Sequence, residues 1–553
     1  MNTFSAKSVY SKMFISRILP MLGFALVLGF SLPAQAQNNN FTNAGSATWS
    51  TASAWSLGVP TSTQDAYHTN VTTGSVAINV TTSAQAKSLT IGGSGGPASL
   101  VTFANQSLIV GGDITLASGA GAGEFRLSGA NSTVTLNAGN GSILNGGGAG
   151  SATMNVQGGF SNSVGLLNAS VDDLNMGQTG NGTLIITNGQ TYNVSSLLRL
   201  NNSAASNNAT ILMNGGTLNY SGPNEIRLNS GNGAGNTAYL ILNSNALVAA
   251  TKIRRQNLGT DAAIEWNDGT IGNYAGTNLT IDALAGTMNI KLAGTGTHTF
   301  NAESGRTITV AATAQLQDKT GEAGTLNKAG GGTLLLQGAN TYSGATTISG
   351  GTLMLSTNGA IASSTLLSVA SGATLDVAAV AGGFKIGANQ TLLGSGTVIG
   401  NTTIEGSLKP GNSPGLLTFN NDLTLAGASS TVMEFLGAGV RGTRYDAVNV
   451  GGLLTYDGSL TLDFGATLAQ GAYNFNLFDF TSQSGFYDNI SLIGAYSGSF
   501  TQNGTDWQLS SVNETWNFSQ STGELSLNVI PEPSSLSLLL LGTVVWLRQR
   551  RRA

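Results

Sequence analysis

The sequence contains no cysteine, and its 553 residues include only two histidines and nine prolines. The missing thiols exclude a disulfide-stapled scaffold, a thiol enzyme and any cysteine-ligated metal site. Charged residues make up 9 % of the chain, so the helix formers Lys, Glu and Arg are scarce and helix-rich folds are disfavoured. Hydrophobic residues make up 41 %, which argues against charge-driven disorder. With 77 glycines but no collagen period, the composition predicts a large, weakly charged all-β protein.

Residues 1–36 are predicted to be a signal peptide. Three basic residues precede an apolar run over residues 18–32, and no acidic residue interrupts this order. Basic, apolar and small residues in this order are typical of a secretory signal. The small residues Ala34 and Ala36 mark the signal peptidase site, with cleavage expected after Ala36. The protein is therefore expected to be exported.

The C-terminus carries a second targeting pattern, over residues 529–553. A Pro-Glu-Pro motif precedes a short apolar segment, 535–547, and a basic end. This order resembles the PEP-CTERM sorting signal of Gram-negative bacteria that make exopolysaccharide. The resemblance implies recognition and cutting by an exosortase, with the short hydrophobic helix held transiently in the inner membrane; an unprocessed anchor is the alternative. The residues that carry the signal are Pro531, Glu532, Pro533, Arg548, Arg550, Arg551 and Arg552.

The charge of the exported body differs from that of the whole chain. The formal net charge is −4 overall, but residues 37–530 hold 15 basic and 25 acidic residues. The body is therefore acidic, and the basic residues concentrate in the two targeting ends. Since no basic stripe remains, binding to nucleic acid is not expected.

Short apolar elements recur with a period of about 27 residues, within the range of repeat architectures. Segments that begin at Thr183, Thr210 and Thr237 are evenly spaced at this period, and a second strand-like element follows each. Two short strands per repeat, separated by Asn, Gly and Ser, are typical of β-solenoid coils, which bury their inner faces by stacking. Residues 71–430 are therefore predicted to form a solenoid. The second elements are 198–200, 226–228 and 253–255.

Residues 326–353 resemble the autotransporter-associated, or passenger-associated, β-strand repeat. They contain Gly-Gly-Thr-Leu at 331–334 and again at 350–353, with an Asn-Thr-Tyr-Ser-Gly turn at 340–344 between them. The resemblance implies a right-handed parallel β-helix that serves as an exported stalk. The chain ends in a leucine run and arginines instead of the amphipathic strands of an autotransporter barrel, so a different export route is expected.

Two segments flank the predicted solenoid. Residues 37–70, with Trp49 and Trp55, are predicted to cap its N-terminal end, and sugar stacking by exposed rings is the alternative. Residues 431–528 are predicted to form a C-terminal β module with its own core, because 14 of the 37 aromatic residues lie between positions 445 and 518. A glycan-binding role for this module would require Trp507 or Trp516 to be exposed in a shallow groove.

The sequence offers no catalytic triad. The G-x-S-x-G pattern around Ser413 has no histidine after it, since His68 and His298 both precede it, and the sequence that follows does not read as a helix. No cofactor and no metal site are predicted, and we expect no enzymatic activity.

Carboxylates near basic residues are the remaining candidates for chemistry, because β-helices also host polysaccharide lyases and hydrolases. Adjacent strand residues point to opposite faces, so Asp172 and Asp173 are not expected to line one site. A three-residue offset in a strand also gives opposite faces, so the same holds for Glu265 and Asp268. Turn or surface carboxylates are therefore the preferred interpretation. The candidates are Asp172, Asp173, Asp261, Glu265 and Asp268, with Lys252, Arg254 and Arg255 nearby and Trp266 as a possible sugar platform.

Taken together, these features predict an exported, non-enzymatic structural or adhesive protein of the cell surface or extracellular matrix. Its expected partners are signal peptidase, exosortase and exopolysaccharide, as in a biofilm. Two alternatives stay open, a carbohydrate-active β-helix enzyme and a non-catalytic glycan-binding module.

Overall fold

The computed structural model describes residues 37–43, 46–68, 76–91, 182–189, 191–201, 208–231, 233–259, 261–411, 414–530 and 546, together with eight strands between 99 and 176. These residues form a long series of β-strands and one short 3₁₀ helix, Ala52–Ala54. The predicted all-β fold and β-solenoid are thereby confirmed.

The N-terminal part of the solenoid begins with the first described residues. Its strands are β1 (Gln37–Asn40), β2 (Ala47–Thr48), β3 (Gln64–His68), β4 (Val76–Val80), β5 (Ala84–Ala86), β6 (Ser88–Ile91), β7 (Ser99–Phe103), β8 (Ser107–Val110), β9 (Ile114–Leu116), β10 (Gly123–Ser128), β11 (Thr133–Leu136), β12 (Leu144–Gly146), β13 (Ala152–Gln157), β14 (Ala169–Met176), β15 (Gly182–Thr187) and β16 (Thr191–Leu200). β1 pairs in parallel with β3, and β3 pairs with β6, so residues 37–68 already belong to the stack. The segment after the 3₁₀ helix runs along the other edge of β1, where Phe41 and Trp55 form an antiparallel bridge.

The middle part of the solenoid repeats three strands per coil. Its strands are β17 (Asn208–Asn214), β18 (Thr217–Tyr220), β19 (Ile226–Leu228), β20 (Thr237–Asn243), β21 (Leu247–Ala250), β22 (Lys252–Arg255), β23 (Asp261–Trp266), β24 (Gly269–Asn273), β25 (Leu279–Ala283), β26 (Met288–Leu292), β27 (His298–Asn301), β28 (Thr307–Val310), β29 (Ala314–Asp318), β30 (Leu326–Ala329) and β31 (Thr333–Leu336). One strand of each coil joins an 11-stranded parallel sheet, which ends at β29, and the other two join a larger sheet.

The strand register follows the predicted repeat closely, with one shift. Thr183 pairs with Thr210 as the repeat predicts, and Ile226 pairs with Ile253 at the same offset. Thr210, however, pairs with Tyr239 and not with Thr237. A shift of two residues keeps every side chain on its own face of the sheet, so the hydrophobic pattern is unchanged although the coil is longer.

The core consists of apolar columns that run from coil to coil. In one column, six side chains that are 0 % exposed lie directly above one another on β15, β17, β20, β23, β26 and β29. Burying an aliphatic side chain of this size contributes about 1.5–3 kcal/mol relative to leaving it in water. No coil can bury this column alone, so stacking is the source of stability. The six residues are Leu184, Ile211, Leu240, Ile264, Ile290 and Leu316.

Coils become shorter directly after β29 and lengthen again where Ser430 pairs with Ser459. The next strands are β32 (Thr346–Ile348), β33 (Thr352–Leu355), β34 (Leu366–Val369), β35 (Thr374–Asp376), β36 (Phe384–Ile386), β37 (Thr391–Gly394), β38 (Thr397–Ile399), β39 (Thr402–Ile404), β40 (Ser407–Pro410), β41 (Leu416–Phe419), β42 (Leu423–Leu425), β43 (Ser430–Phe435), β44 (Ala447–Tyr456), β45 (Ser459–Phe464), β46 (Gly471–Asn476), β47 (Phe478–Gly485) and β48 (Asn489–Gly494). Thr333 pairs with Thr352, a much smaller offset than in the preceding coils, because the 11-stranded sheet has ended. Parallel pairing nevertheless continues past the predicted boundary at residue 430, through β43, β45 and β48.

A five-stranded antiparallel sheet follows the last parallel strands. The remaining strands are β49 (Gly498–Ser499), β50 (Thr501–Asn503), β51 (Asp506–Ser510), β52 (Glu514–Ser519) and β53 (Glu524–Val529), and the order in this sheet is β46-β53-β52-β51-β50. The predicted C-terminal module therefore contains two kinds of structure, the end of the solenoid and this sheet. Aromatic rings join them, since Phe464 of the solenoid lies edge-on to Trp516 of the sheet at 5.2 Å.

Candidate functional site

Two of the predicted carboxylates lie together on the outward side of the 11-stranded sheet. Asp261 and Glu265 both project from β23, and Lys291 on the next coil contacts them at 3.0 and 4.0 Å. The hydroxyl of Tyr239, on the preceding coil, donates to Asp261 at 3.0 Å, and Lys319 lies 3.9 Å from Glu265. We call these five residues the outer acid–base face.

Protonation on the outer acid–base face follows from these contacts. Burial, the hydrogen bond to Asp261 and the nearby negative charges raise the pKa of Tyr239 to about 12. Partial burial alone would raise the pKa of Asp261, but the hydrogen bonds from Lys291 and Tyr239 bring it below its ordinary value. At neutral pH the face therefore holds a neutral phenol, an ionised Asp261 and a neutralising ammonium group.

The predicted bases near this face do not join it. Lys252 and Arg254 belong instead to an ion network on the larger sheet, in which Arg254 binds both carboxylate oxygens of Asp282 at 2.6 Å. Glu225, only 7 % exposed, pairs with Arg227 at 2.8 Å and with Arg254 at 3.2 Å. These bases do not act with Asp261, because residues that are close in sequence lie on different sides of the coil.

Arg255 is separated from both groups. It is 7 % exposed, and its guanidinium donates to the carbonyl oxygens of Thr287 at 2.9 Å and Asn257 at 3.3 Å. Its register partner on the preceding coil is the buried Leu228, so Arg255 occupies an inward position. Because its hydrogen bonds go to backbone carbonyls, Arg255 stabilises the coil and does not belong to either group of charged residues.

The other candidate residues do not build a carbohydrate-cleaving site. Trp266 is 0 % exposed and its indole Nε1 donates to the carbonyl of Gly269, which excludes it as a sugar platform. Asp268 lies in the turn after β23 and accepts the backbone N–H groups of Asn245 and Thr297. Partial burial alone would raise the pKa of Asp268, but these bonds hold it below its ordinary value.

A glycosidase pair needs room for the scissile bond between its carboxylates. On the outer acid–base face, the Lys291 ammonium contacts both carboxylates and so stands between them. Asp172 and Asp173 occupy adjacent positions on β14, whose register with β16 shifts between Val171 and Asp173. Among the described residues, no group of three or more His, Asp or Glu side chains could hold a metal ion. These observations are compatible with a non-enzymatic protein.

The four tryptophans near the two ends of the solenoid are buried. Trp49 is 1 % and Trp55 4 % exposed, and the Trp55 indole donates to the Trp49 carbonyl at 2.9 Å. Trp507 and Trp516 are 5 % and 3 % exposed. Stacking of sugars on any of these rings is therefore excluded, so glycan binding by the C-terminal module would have to use other groups.

An unusual site that sequence reasoning missed lies in the repeat at 326–353. Lys328 is 0 % exposed and occupies an inward column between Phe300 on one coil and Ile348 on the next. Its ammonium donates to the carbonyl oxygens of Ala329, Gly330 and Gly350 at 2.7, 2.9 and 3.0 Å. Burial lowers the pKa of Lys328 to about 8, so the group is still mostly protonated at neutral pH. It ties the corner of one coil to the corner of the next.

The turn of the same repeat also joins neighbouring coils. The buried amide of Asn340 accepts the N–H of Leu316 at 3.0 Å and donates to the carbonyl of Ala360 at 3.1 Å. The buried Tyr342 hydroxyl pairs with Thr346 at 2.7 Å. These polar side chains of the motif are therefore internal hydrogen-bonding groups.

Asp446 is another buried ionisable group that the sequence did not indicate. It is 1 % exposed, and it accepts the backbone N–H groups of Gly415 at 2.7 Å and Glu434 at 2.8 Å. Burial raises the pKa of Asp446 by more than these two hydrogen bonds lower it, and the result is a pKa of about 7. With Lys409 and Glu434, it lines a cavity of about 120 Å³ beside Gly411.

The pKa of Asp446 predicts a dependence of stability on pH. A carboxyl with a raised pKa in the folded state favours folding below its ordinary pKa of 3.8, and this contribution is lost as the pH rises to about 7. We therefore expect the wild-type protein to lose stability relative to Asp446→Asn between pH 4 and 7.5. Urea denaturation of both proteins across this range measures the difference. The opposite trend would mean that the two N–H bonds outweigh burial.

The predicted targeting residues lie outside the described part of the chain. They are Ala34, Ala36 and the sorting residues Pro531, Glu532, Pro533, Arg548, Arg550, Arg551 and Arg552. Within the described residues, no helix is long and apolar enough to cross a membrane.

Three of the missed residues share one cause. Lys291, Lys319 and Asp446 reach their partners through coil stacking, at separations that no local motif contains. The coil length is the one sequence signal that could have aligned Lys291 with Glu265, since these two residues are register partners on successive coils.

Comparison with known proteins supports the repeat. Residues 326–355 match the Passenger-associated-transport-repeat family. A comparison with curated proteins finds no match to the chain. The match confirms the repeat resemblance, and together with the parallel solenoid it fits an exported surface protein of the passenger type.

Proposed function

We propose that this protein is a non-enzymatic structural element of the cell surface or extracellular matrix. The observation that carries the proposal is the parallel stack of coils that contains the passenger-type repeat at 326–355. Polar groups inside the repeat, such as Lys328 and Asn340, bond to neighbouring coils and are not available to a substrate. A long stack of this kind supplies length and surface, which suits a scaffold better than a catalyst.

Sorting through the C-terminus is the second part of the proposal. An exosortase would recognise Pro531-Glu532-Pro533 and release the body to an exopolysaccharide layer, while the basic end stays on the cytoplasmic side. Proline disfavours helical structure in the residue before it, which suits an accessible cutting site.

Cell fractionation with and without the exosortase tests this route. We expect the protein outside the cell when the enzyme is present and in the inner membrane when it is absent. Mass spectrometry should find a mature C-terminus near Pro533, and a variant with alanine at 531–533 should stay in the membrane. Mature protein that retains Arg550–Ala553 would refute sorting by cleavage.

A further inference from the structure

The outward face of the antiparallel sheet carries a shallow depression of about 360 Å³. Side chains alternate across this sheet, so Trp516, Phe518 and Leu527 are buried beneath it while the residues between them face outward. We call six of the outward residues in the depression the amide face: Asn474, Gln508, Thr515, Asn517, Ser526 and Asn528.

The amide face is ordered by the strand register. Asn474 lies opposite Ser526, and Ser526 lies opposite Asn517, which in turn lies opposite Gln508. This row crosses four strands that are about 4.8 Å apart, and so it spans about 14 Å. The row is long enough to contact several units of an extended polymer at once.

Amides on this face differ from amides on the solenoid. On the solenoid, Asn243 donates to Asn214 at 2.9 Å, and Asn267 donates to Asn243 at 2.7 Å, so neighbouring amides form hydrogen bonds with one another. The side-chain amides of Asn474, Gln508 and Asn528 are exposed and form no hydrogen bond to another described residue. Their donors and acceptors are therefore available to a ligand.

Charge selects the class of ligand. Of the described residues that line the depression, none carries a charge. The next outward row contains two carboxylates, Glu524 and, two strands away, Asp506. An acidic polymer would approach these carboxylates unfavourably, whereas a neutral polyol can both donate to and accept from amides and hydroxyls.

We propose that the amide face binds a neutral polysaccharide that lies across the strands. The proposal deepens the proposed function, because a matrix protein with such a site would hold the matrix polymer directly. With the tryptophans buried, binding relies on hydrogen bonds without ring stacking, so a single site is weak. A polymer that engages many protein copies would nevertheless be held through avidity.

Affinity electrophoresis of the exported body, residues 37–530, tests this site. Dextran, hydroxyethyl cellulose or soluble starch in the gel should retard the wild-type protein, and alginate or polygalacturonate should not. The double variant Gln508→Ala and Asn528→Ala should lose at least five-fold in affinity while its melting temperature stays unchanged. Asn389→Ala, an exposed turn residue on the solenoid, is the matched control and should bind as wild type.

Three outcomes would overturn the proposal: no retardation by any neutral polymer, retardation by acidic polymers alone, or equal binding by the double variant. A concentration-dependent dimer that the double variant abolishes would assign the face to self-association instead. The test is independent of sorting, since a protein that binds dextran but stays in the membrane contradicts only the proposed export route.

Discussion

Replacement of Gly332 by alanine is expected to lower the stability of the repeat by about 3 kcal/mol or more. A Cβ at this position would lie 2.1 Å from the carbonyl oxygen of Glu303 and 2.4 Å from that of Arg306. Both oxygens belong to the backbone of the preceding coil, and the Arg306 carbonyl accepts the N–H of Thr333. The coils would have to separate locally, so the ladder bonds on both sides would weaken.

Gly331→Ala is the matched control for this experiment. A Cβ there would meet the Ser304 side chain at 3.4 Å, which is an ordinary van der Waals contact. We expect a change below about 1 kcal/mol for this variant. Urea denaturation, together with hydrogen exchange of strands β30–β33, measures both variants, because a stacked solenoid can open locally. Equal stability of the two variants would refute the close approach of the coils at Gly332.

Replacement of Lys328 by methionine is expected to destabilise the same region by about 2 kcal/mol. Methionine fills the column between Phe300 and Ile348 but cannot donate to the carbonyls of Gly330 and Gly350. Loss of the buried charge opposes this effect, since an ammonium group is costly to remove from water. The three charge-assisted hydrogen bonds of Lys328 contribute more than its burial costs, so the variant is expected to lose stability.

An exposed lysine provides the control for Lys328→Met. Lys385, whose side chain is 63 % exposed, pairs with Glu405 at 2.8 Å on the outside of the coil. Lys385→Met should change stability by less than about 0.5 kcal/mol, as expected for a surface ion pair. Hydrogen exchange should increase in β30 and β32 for Lys328→Met alone. A higher urea midpoint for Lys328→Met than for wild type would show that the buried lysine reduces stability.

The architecture was predictable because stacking leaves a periodic trace. Ile226 recurs in the sequence as Ile253, and an arginine follows each of them. In the structure the two isoleucines are register partners on successive coils, and so are the two arginines. Short apolar strands separated by small polar residues can bury a core only by stacking in this way. Coil length was less predictable, since a loop can gain or lose two residues without moving any side chain to the other face.

The chemistry of individual side chains was harder to predict. Trp266 and Trp507 are large residues with one polar atom, and sequence alone does not distinguish a buried ring from an exposed one. Lys328 was missed because a lysine is rarely buried, and its carbonyl partners include Gly350 on the next coil. The ion network of Glu225 and Arg254 joins different coils, so it depends on register and not on sequence proximity.

The shortening of the coils beyond β29 has a mechanical consequence. The coil that pairs Thr333 with Thr352 contains fewer residues than the coil that pairs Thr183 with Thr210, so it encloses a smaller cross-section. The bending stiffness of a rod rises steeply with its width, whereas its resistance to stretching depends on the ladder bonds along the axis. Under lateral load the stack would flex within its slender stretch, around the Lys328 corner, and the broader coils before β29 would turn as a nearly rigid lever.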